Sequence, residues 1–124
     1  KWSYQDVGEV CETISLSDLM SSLDIDQIDY LKMDCEGSEY EIFENFNDYD
    51  RVSVIALELH GFYSDSRRRT LVQNLMHHYF FIDLHIDNTL VTTIGDLVSN
   101  SSQNLEELVN KSSLLLINKK ALNS

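Results

Sequence analysis

The sequence contains no proline, only four glycines and only two cysteines among its 124 residues. Two cysteines are too few for a disulfide scaffold, and the spacing of Cys11 and Cys35 matches no zinc-binding motif. We therefore expect a reducing, cytoplasmic setting. Because the usual markers of turns are scarce, helices and strands must be recognised from the periodicity of apolar residues.

Long apolar runs and positive charge are also in short supply. The longest apolar runs, at 52–59 and 114–117, are much shorter than the roughly 20 residues that a membrane-spanning helix needs. No basic segment precedes an apolar stretch, so we expect no signal peptide. Nine basic and twenty-one acidic residues give a net charge of −12, which repels nucleic-acid phosphates and anionic lipids. Neither nucleic acid nor a membrane is therefore an expected partner, and the oligomeric state stays open.

What is present is the composition of one folded domain. Apolar residues make up 43% of the chain and charged residues 24%, as in globular proteins, and the length suits a single domain. Residues 67–69, the one basic cluster, are expected in the solvated first turn of a helix. The apolar patterns predict strands over 10–14, 28–33, 52–59, 80–86 and 114–118, helices over 16–23, 36–45, 66–79 and 105–109, and a loop over 99–104.

The alternation of strands and helices predicts an α/β sheet with mostly parallel pairing and right-handed crossovers. The strand over 52–59 is apolar on nearly every residue, which is typical of a central strand covered on both faces. In such sheets ligands bind beyond the carboxyl ends of the strands. The residues that follow 28–33 and 52–59 are therefore the first place to look for chemistry.

Those two strand ends carry carboxylates and an imidazole. Asp34, Glu36 and Gly37 follow the strand over 28–33, and Glu58 and His60 lie at the end of the strand over 52–59. A partly buried carboxylate can act as a base or attract a cation such as a sulfonium or a metal. Structural roles stay open as alternatives: Asp34 as a helix cap, Glu36 as a favourable anion in a first turn, and Glu58 as the partner of an arginine.

The segment over 29–46, DYLKMDCEGSEYEIFENF, resembles the signature of the FkbM family of methyltransferases. Two flanking segments, 14–19 and 56–60, resemble the parts of that family that precede and follow the signature. The residues at matching positions of the signature are Leu31, Lys32, Asp34, Glu36, Gly37, Ser38 and Glu39.

The resemblance implies a fold and an activity. The fold would be a Rossmann-like class I methyltransferase sheet, with the strands at 28–33, 52–59, 80–86 and 114–118 as its fourth to seventh strands and the last strand antiparallel. The activity would be methyl transfer from S-adenosylmethionine to a hydroxyl of a sugar or another small metabolite.

The resemblance also assigns roles to residues. Asp34, Glu36 and His60 would be catalytic, with Asp34 the first candidate for the base and His60 the second. Asp34, Glu36 and Gly37 would bind the cofactor. Glu58 and His60 would line the acceptor site. No metal-binding residue is assigned, and it stays open whether a metal held by Asp34 assists.

The sequence departs from the family pattern in one large respect. A Gly-rich turn after the first strand of such a fold holds the cofactor, whereas Gly8 stands alone before Gly37. Residues 1–124 are therefore expected to be the C-terminal part of a methyltransferase domain, lacking the Gly-rich half and inactive alone. Two other readings stay open: a non-catalytic α/β binding module, and a metal-dependent hydrolase with Mg²⁺ on Asp34, Glu36 and Glu58.

Overall fold

The computed structural model describes residues 11–62, 64–82, 98 and 101–122. The helices are α1 (Leu16–Ser22), α2 (Glu39–Glu44), α3 (Ser66–His78) and α4 (Leu105–Leu108), with 3-10 turns at Tyr49–Arg51 and Lys119–Leu122. The strands are β1 (Ile28–Met33), β2 (Val52–Glu58), β3 (Tyr79–Ile82), β4 (Ser101–Ser102) and β5 (Ser113–Asn118). In this part of the chain, no helix is both long enough and apolar enough to cross a lipid bilayer.

Short polar side chains begin three of the helices. The hydroxyl of Ser15 accepts a hydrogen bond from the backbone N–H of Asp18 at 3.1 Å, as its position before the apolar pattern predicts. Asp65 caps α3 by accepting from the N–H of Arg67 at 2.8 Å, and Asn104 caps α4. α2 has no such cap at Ser38, and its first residue instead turns back towards β1.

The described strands form one sheet in the order β1-β2-β5-β3-β4. β1 and β2 are parallel, whereas β5 is antiparallel to both β2 and β3, and β4 is antiparallel to β3. The mixed α/β class is confirmed, and the last strand is antiparallel, but the expectation of mostly parallel pairing is wrong for the described residues. β1, β2 and β3 do point the same way; β5 inserts between β2 and β3 and makes their pairing antiparallel.

The core lies where α2 and α3 cover the sheet. Its strand residues include Ile55 and Leu57, which are at most 2% exposed, and α3 contributes Val72 and Leu75, which are fully buried. Burial of each such side chain contributes about 1.5–3 kcal/mol. This packing holds β1 and β2 side by side and so fixes the relative position of the residues that follow them.

Several sequence-based boundaries need correction. The helix expected from residue 36 begins at Glu39, because residues 36 and 37 form a turn, and the helix expected to residue 79 ends at His78. Residues 11–15 form no strand and are exposed, since their alternating pattern has no buried face to pack against; Val10 lies outside the described residues. The strand expected over 80–86 begins at Tyr79 and is described to Ile82, and residues 83–86 lie outside the described part. The expected loop over 99–104 contains the two-residue strand β4, which pairs with β3.

Candidate active site

The carboxyl ends of β1 and β2 meet at one edge of the sheet. Met33 and Leu57 are partners in the parallel register, so Asp34 and His60 emerge next to each other. The Nε2 atom of His60 lies 3.4 Å from Oδ1 of Asp34 and 3.6 Å from Oε2 of Glu36. The structure thus brings together the three residues that the sequence proposes as catalytic.

The turn after β1 adopts an unusual backbone. Glu36 and Gly37 have φ angles of 52° and 108°, in the left-handed region that costs a residue with a Cβ atom about 1–2 kcal/mol. A side chain holds this turn: the backbone N–H groups of Cys35 and Gly37 donate to Oε2 of Glu39 at 3.0 and 2.9 Å. The turn that presents Asp34 and Glu36 is therefore built around the carboxylate of Glu39.

Glu39 is a fully buried carboxylate, with 0% of its side chain exposed. Its second oxygen, Oε1, accepts from the backbone N–H of His60 at 3.1 Å and lies 2.9 Å from Nδ1 of that ring. Burial acts to raise the pKa of Glu39, but the hydrogen bonds from His60 and from the N–H of Gly37 outweigh it and lower the pKa. Glu39 is therefore ionised at neutral pH and ties the two strand ends together.

The contact with Glu39 sets the chemistry of His60. An ionised carboxylate only accepts hydrogen bonds, so Nδ1 carries a proton and Nε2 faces Asp34 and Glu36. The hydrogen bond to Glu39, followed by the charges of Glu39, Glu36 and Asp34, raises the pKa of His60. Because 29% of the imidazole is exposed, a ligand can reach it, and the ring is oriented to exchange a proton at Nε2.

The other two proposed site residues are placed differently. Gly37 supplies its φ angle and an N–H to Glu39, and a Cβ atom built on it would meet nothing within 4 Å, so open space lies beside the turn. Glu58 lines a depression of about 230 Å³ together with Tyr30 and Lys32. It is not one of the three residues whose ligand atoms converge.

The converging set could hold a cation. One ligand atom from each of Asp34, Glu36 and His60 lies within 4.8 Å of the other two, a spacing that a divalent ion or a positively charged group of a ligand can bridge. The hydrolase reading placed Glu58 in this set, whereas the structure places His60 there.

Sequence reasoning missed the part played by Glu39. The residue appears in the signature only as one matching position, and a glutamate in the first turn of a helix is ordinarily a solvated, favourable anion. The signal that could have found it is Gly37 two residues earlier, because a left-handed turn leaves N–H groups that need an acceptor.

Comparison with known families gives a match that spans the site. A family model described as the methyltransferase FkbM domain matches residues 4–94 of the chain. The match includes both strand ends and all four residues of the network, Asp34, Glu36, Glu39 and His60. No curated protein and no solved structure gives a significant match.

Proposed function

The chain belongs to the FkbM methyltransferase family, and on that premise we propose that it transfers a methyl group from S-adenosylmethionine to a hydroxyl oxygen of a sugar or another small metabolite. The observation that carries this proposal is the imidazole of His60, held at Nδ1 by buried Glu39 at 2.9 Å and facing two carboxylates with Nε2. A hydroxyl group needs a base when its oxygen attacks a methyl carbon, and this imidazole is oriented for that task.

His60 is the proposed base. Nε2 would accept the proton of the acceptor hydroxyl, and the imidazolium that results would be stabilised by Glu39 on one side and by Asp34 on the other. S-adenosylmethionine, when bound, supplies a methyl group on a positively charged sulfur. Asp34 is the first candidate for the base on sequence grounds. Among the described residues, however, the buried carboxylate of Glu39 contacts His60 and not Asp34, so the role proposed for Asp34 is to orient and stabilise His60.

The charge of the site fits a cationic methyl donor. Three carboxylates surround one imidazole, so the site stays negative even when His60 is protonated, and Asp34 and Glu36 are exposed enough to meet a ligand, at 38% and 84%. We propose that these residues and the backbone at Gly37 contact the cofactor. Glu58, in the neighbouring depression, is proposed to contact the acceptor.

The strand order supports a more specific assignment of the fold. In the sheet order β1-β2-β5-β3, β5 lies between β2 and β3 and runs antiparallel to both of them. We propose that β1, β2, β3 and β5 are the fourth, fifth, sixth and seventh strands of a class I methyltransferase sheet. A Gly-rich segment outside these 124 residues would then complete the cofactor site, and we propose a cytoplasmic location for the enzyme.

Calorimetric titration with S-adenosylmethionine tests the proposal. The full-length gene product is expected to bind the cofactor with micromolar affinity, and the 124-residue chain is expected not to bind it. Failure of the full-length product to bind would favour the non-catalytic module instead.

Two further assays separate the roles within the site. Asp34→Asn in the full-length product is expected to reduce turnover strongly while cofactor affinity stays within a few-fold; unchanged turnover would remove Asp34 from the mechanism. Turnover is expected to be insensitive to EDTA. A loss that Mg²⁺ or Mn²⁺ restores would show that the converging side chains hold a metal ion.

A further inference from the structure

Arg68 is a buried arginine next to the proposed active site. The sequence predicts residues 67–69 in a solvated helical turn, and Arg67 and Arg69 are indeed exposed, but Arg68 is 0% exposed. Its guanidinium donates hydrogen bonds to the backbone carbonyls of Leu59 at 3.0 Å, Gly61 at 3.4 Å and Lys111 at 2.9 Å. Two of these carbonyls flank His60 directly.

Tyr40 binds the carbonyl of His60, which lies between those of Leu59 and Gly61. This side chain, on α2, is 6% exposed, and its hydroxyl donates to the carbonyl of His60 at 2.7 Å. Gly61 has a φ angle of 99°, a left-handed conformation that lets the chain turn immediately after His60. The carbonyls of three successive residues are thus bound by two side chains, while Glu39 binds the N–H and the ring of His60.

The chemistry of Arg68 argues for precise placement of the backbone. A buried guanidinium is costly to desolvate, and apolar residues of similar volume often stabilise a protein as well or better. Its advantage is a planar fork of five donors with fixed directions. That fork binds carbonyls that precede and follow His60 and also binds Lys111, which lies just before β5.

We propose that Arg68 and Tyr40 are positioning residues that hold the backbone of residues 59–61 so that Nε2 of His60 faces Asp34 and Glu36. This inference rests on the proposed function, in which His60 is the base. The geometry of the His60 ring can nevertheless be tested without measuring turnover. Both side chains are buried, and they act through the peptide groups on either side of the imidazole.

The first test is nuclear magnetic resonance spectroscopy of the full-length product. The ¹⁵N resonances of the His60 imidazole report which ring nitrogen carries the proton. They are assigned by comparison with His60→Gln and recorded in the presence of EDTA, at a pH above the pKa of the ring. The wild-type ring is expected to be protonated at Nδ1. In Arg68→Lys and in Tyr40→Phe the signals are expected to move towards the mixture of tautomers of a free imidazole.

Matched controls isolate the effect. Arg69→Lys alters the adjacent arginine, which pairs with Glu106 at the surface, and Tyr79→Phe removes the hydroxyl of a buried tyrosine whose partner Tyr49 lies at the opposite end of the sheet. Both are expected to leave the signals of His60 unchanged. If Arg68→Lys fails to fold, Tyr40→Phe decides, because it removes one hydroxyl and keeps the packed ring. Unchanged His60 signals in the folded variants would overturn the proposal.

The second test separates this inference from the proposed function. In the full-length product, Tyr40→Phe is expected to lower kcat about tenfold with KM within twofold, since a misaligned base weakens the transition state more than the bound ground state. A lower kcat with nearly unchanged KM, together with shifted tautomers, supports both the positioning role and the methyltransferase activity. Shifted tautomers in a protein that transfers no methyl group would support the positioning role and refute the methyltransferase.

Discussion

The two ends of the sheet bury polar side chains for different purposes. At the end where β2 begins, the single hydroxyl proton of Tyr79 is shared between the carbonyls of Tyr49 at 2.7 Å and Val52 at 2.9 Å, and Asn118 donates to the carbonyl of Tyr49 at 3.2 Å. These donors are neutral, and both side chains are 1% exposed. They satisfy the backbone of a 3-10 turn, and Asn118 also donates to the half-exposed carboxylate of Asp50 at 3.4 Å.

At the opposite end the buried group is charged. Glu39 is as inaccessible as Tyr79, yet one of its partners is an imidazole that a ligand can reach. A buried charge that orients an exposed titratable group is characteristic of functional sites, whereas a closed neutral network is characteristic of structure. The comparison therefore predicts that changes at the β1–β2 end affect turnover and changes at the Tyr79 end affect only stability.

The largest expected effect is that of His60→Gln. This variant removes the proposed base while a polar side chain remains at the site, so turnover of the full-length product is expected to fall at least about 100-fold. A methyl-transfer assay with labelled cofactor measures it. His77→Gln, at an exposed position on α3, is the control and is expected to keep wild-type turnover. Turnover within threefold of wild type in His60→Gln would eliminate His60 as the base.

Glu39→Gln is expected to have the largest effect on stability. An amide cannot accept all the hydrogen bonds that the carboxylate accepts, and breaking a buried charged network costs about 3 kcal/mol, which is a factor of more than 100 in the folding equilibrium. Urea denaturation of the chain measures the change.

Glu41→Gln is the matched control for that experiment. Glu41 lies two residues further along α2 and is exposed, and its replacement is expected to change stability by less than about 0.5 kcal/mol. Equal stabilities of the two variants would show that Glu39 does not hold the strand ends together.

Tyr79→Phe is the corresponding change at the opposite end. The variant loses the one hydroxyl proton that two backbone carbonyls share and leaves those buried carbonyls with one donor fewer. Stability is expected to fall by about 1–2 kcal/mol while kcat stays within twofold. Paired denaturation and turnover measurements decide the point. A folded Tyr79→Phe protein with turnover reduced tenfold would mean that the two ends of the sheet are not independent.

The sequence predicts the site better than the network that supports it. The strand at 52–59 is recognisable because nearly every residue in it is apolar, and the strand at 28–33 because four of its six residues are apolar or aromatic. The meeting of Asp34 with His60 follows from the parallel pairing of these strands. The insertion of β5 between β2 and β3 is a long-range feature that periodicity does not record.

Supporting residues are harder to identify for a physical reason. Glu39 and Arg68 are charged residues in first turns of helices, where the ordinary expectation is exposure to solvent. Their burial depends on donors and acceptors from other segments: Cys35, Gly37 and His60 for the carboxylate, and Leu59, Gly61 and Lys111 for the guanidinium. Such partners are known only once the strands are assembled.

The smallest expected effect is a shift in pH dependence. His60 must be unprotonated to act as a base, so kcat/KM is expected to rise with pH through the pKa of His60, which lies above the usual value of about 6.5. Glu39→Gln removes the hydrogen bond and the charge that raise this pKa. The rise in rate is therefore expected at lower pH in that variant, whose fraction of unprotonated His60 near neutrality is higher.

The same coupling affects stability with the opposite sign for the two partners. Because the pKa of Glu39 is lowered by folding, ionised Glu39 stabilises the fold above about pH 4.5, and this stabilisation is lost as pH falls. Because the pKa of His60 is raised by folding, protonated His60 stabilises the fold below about pH 6.5, and this stabilisation is lost as pH rises through the raised pKa. The pair is thus expected to contribute most between these limits. Tyr79→Phe provides the contrast, because burial raises the pKa of Tyr79 far above neutrality. If acid unfolded Glu39→Gln at the same pH as the wild type, or if the pH of acid unfolding were displaced in Tyr79→Phe, the distinction between the charged Glu39 network and the neutral donors at the other end would be lost.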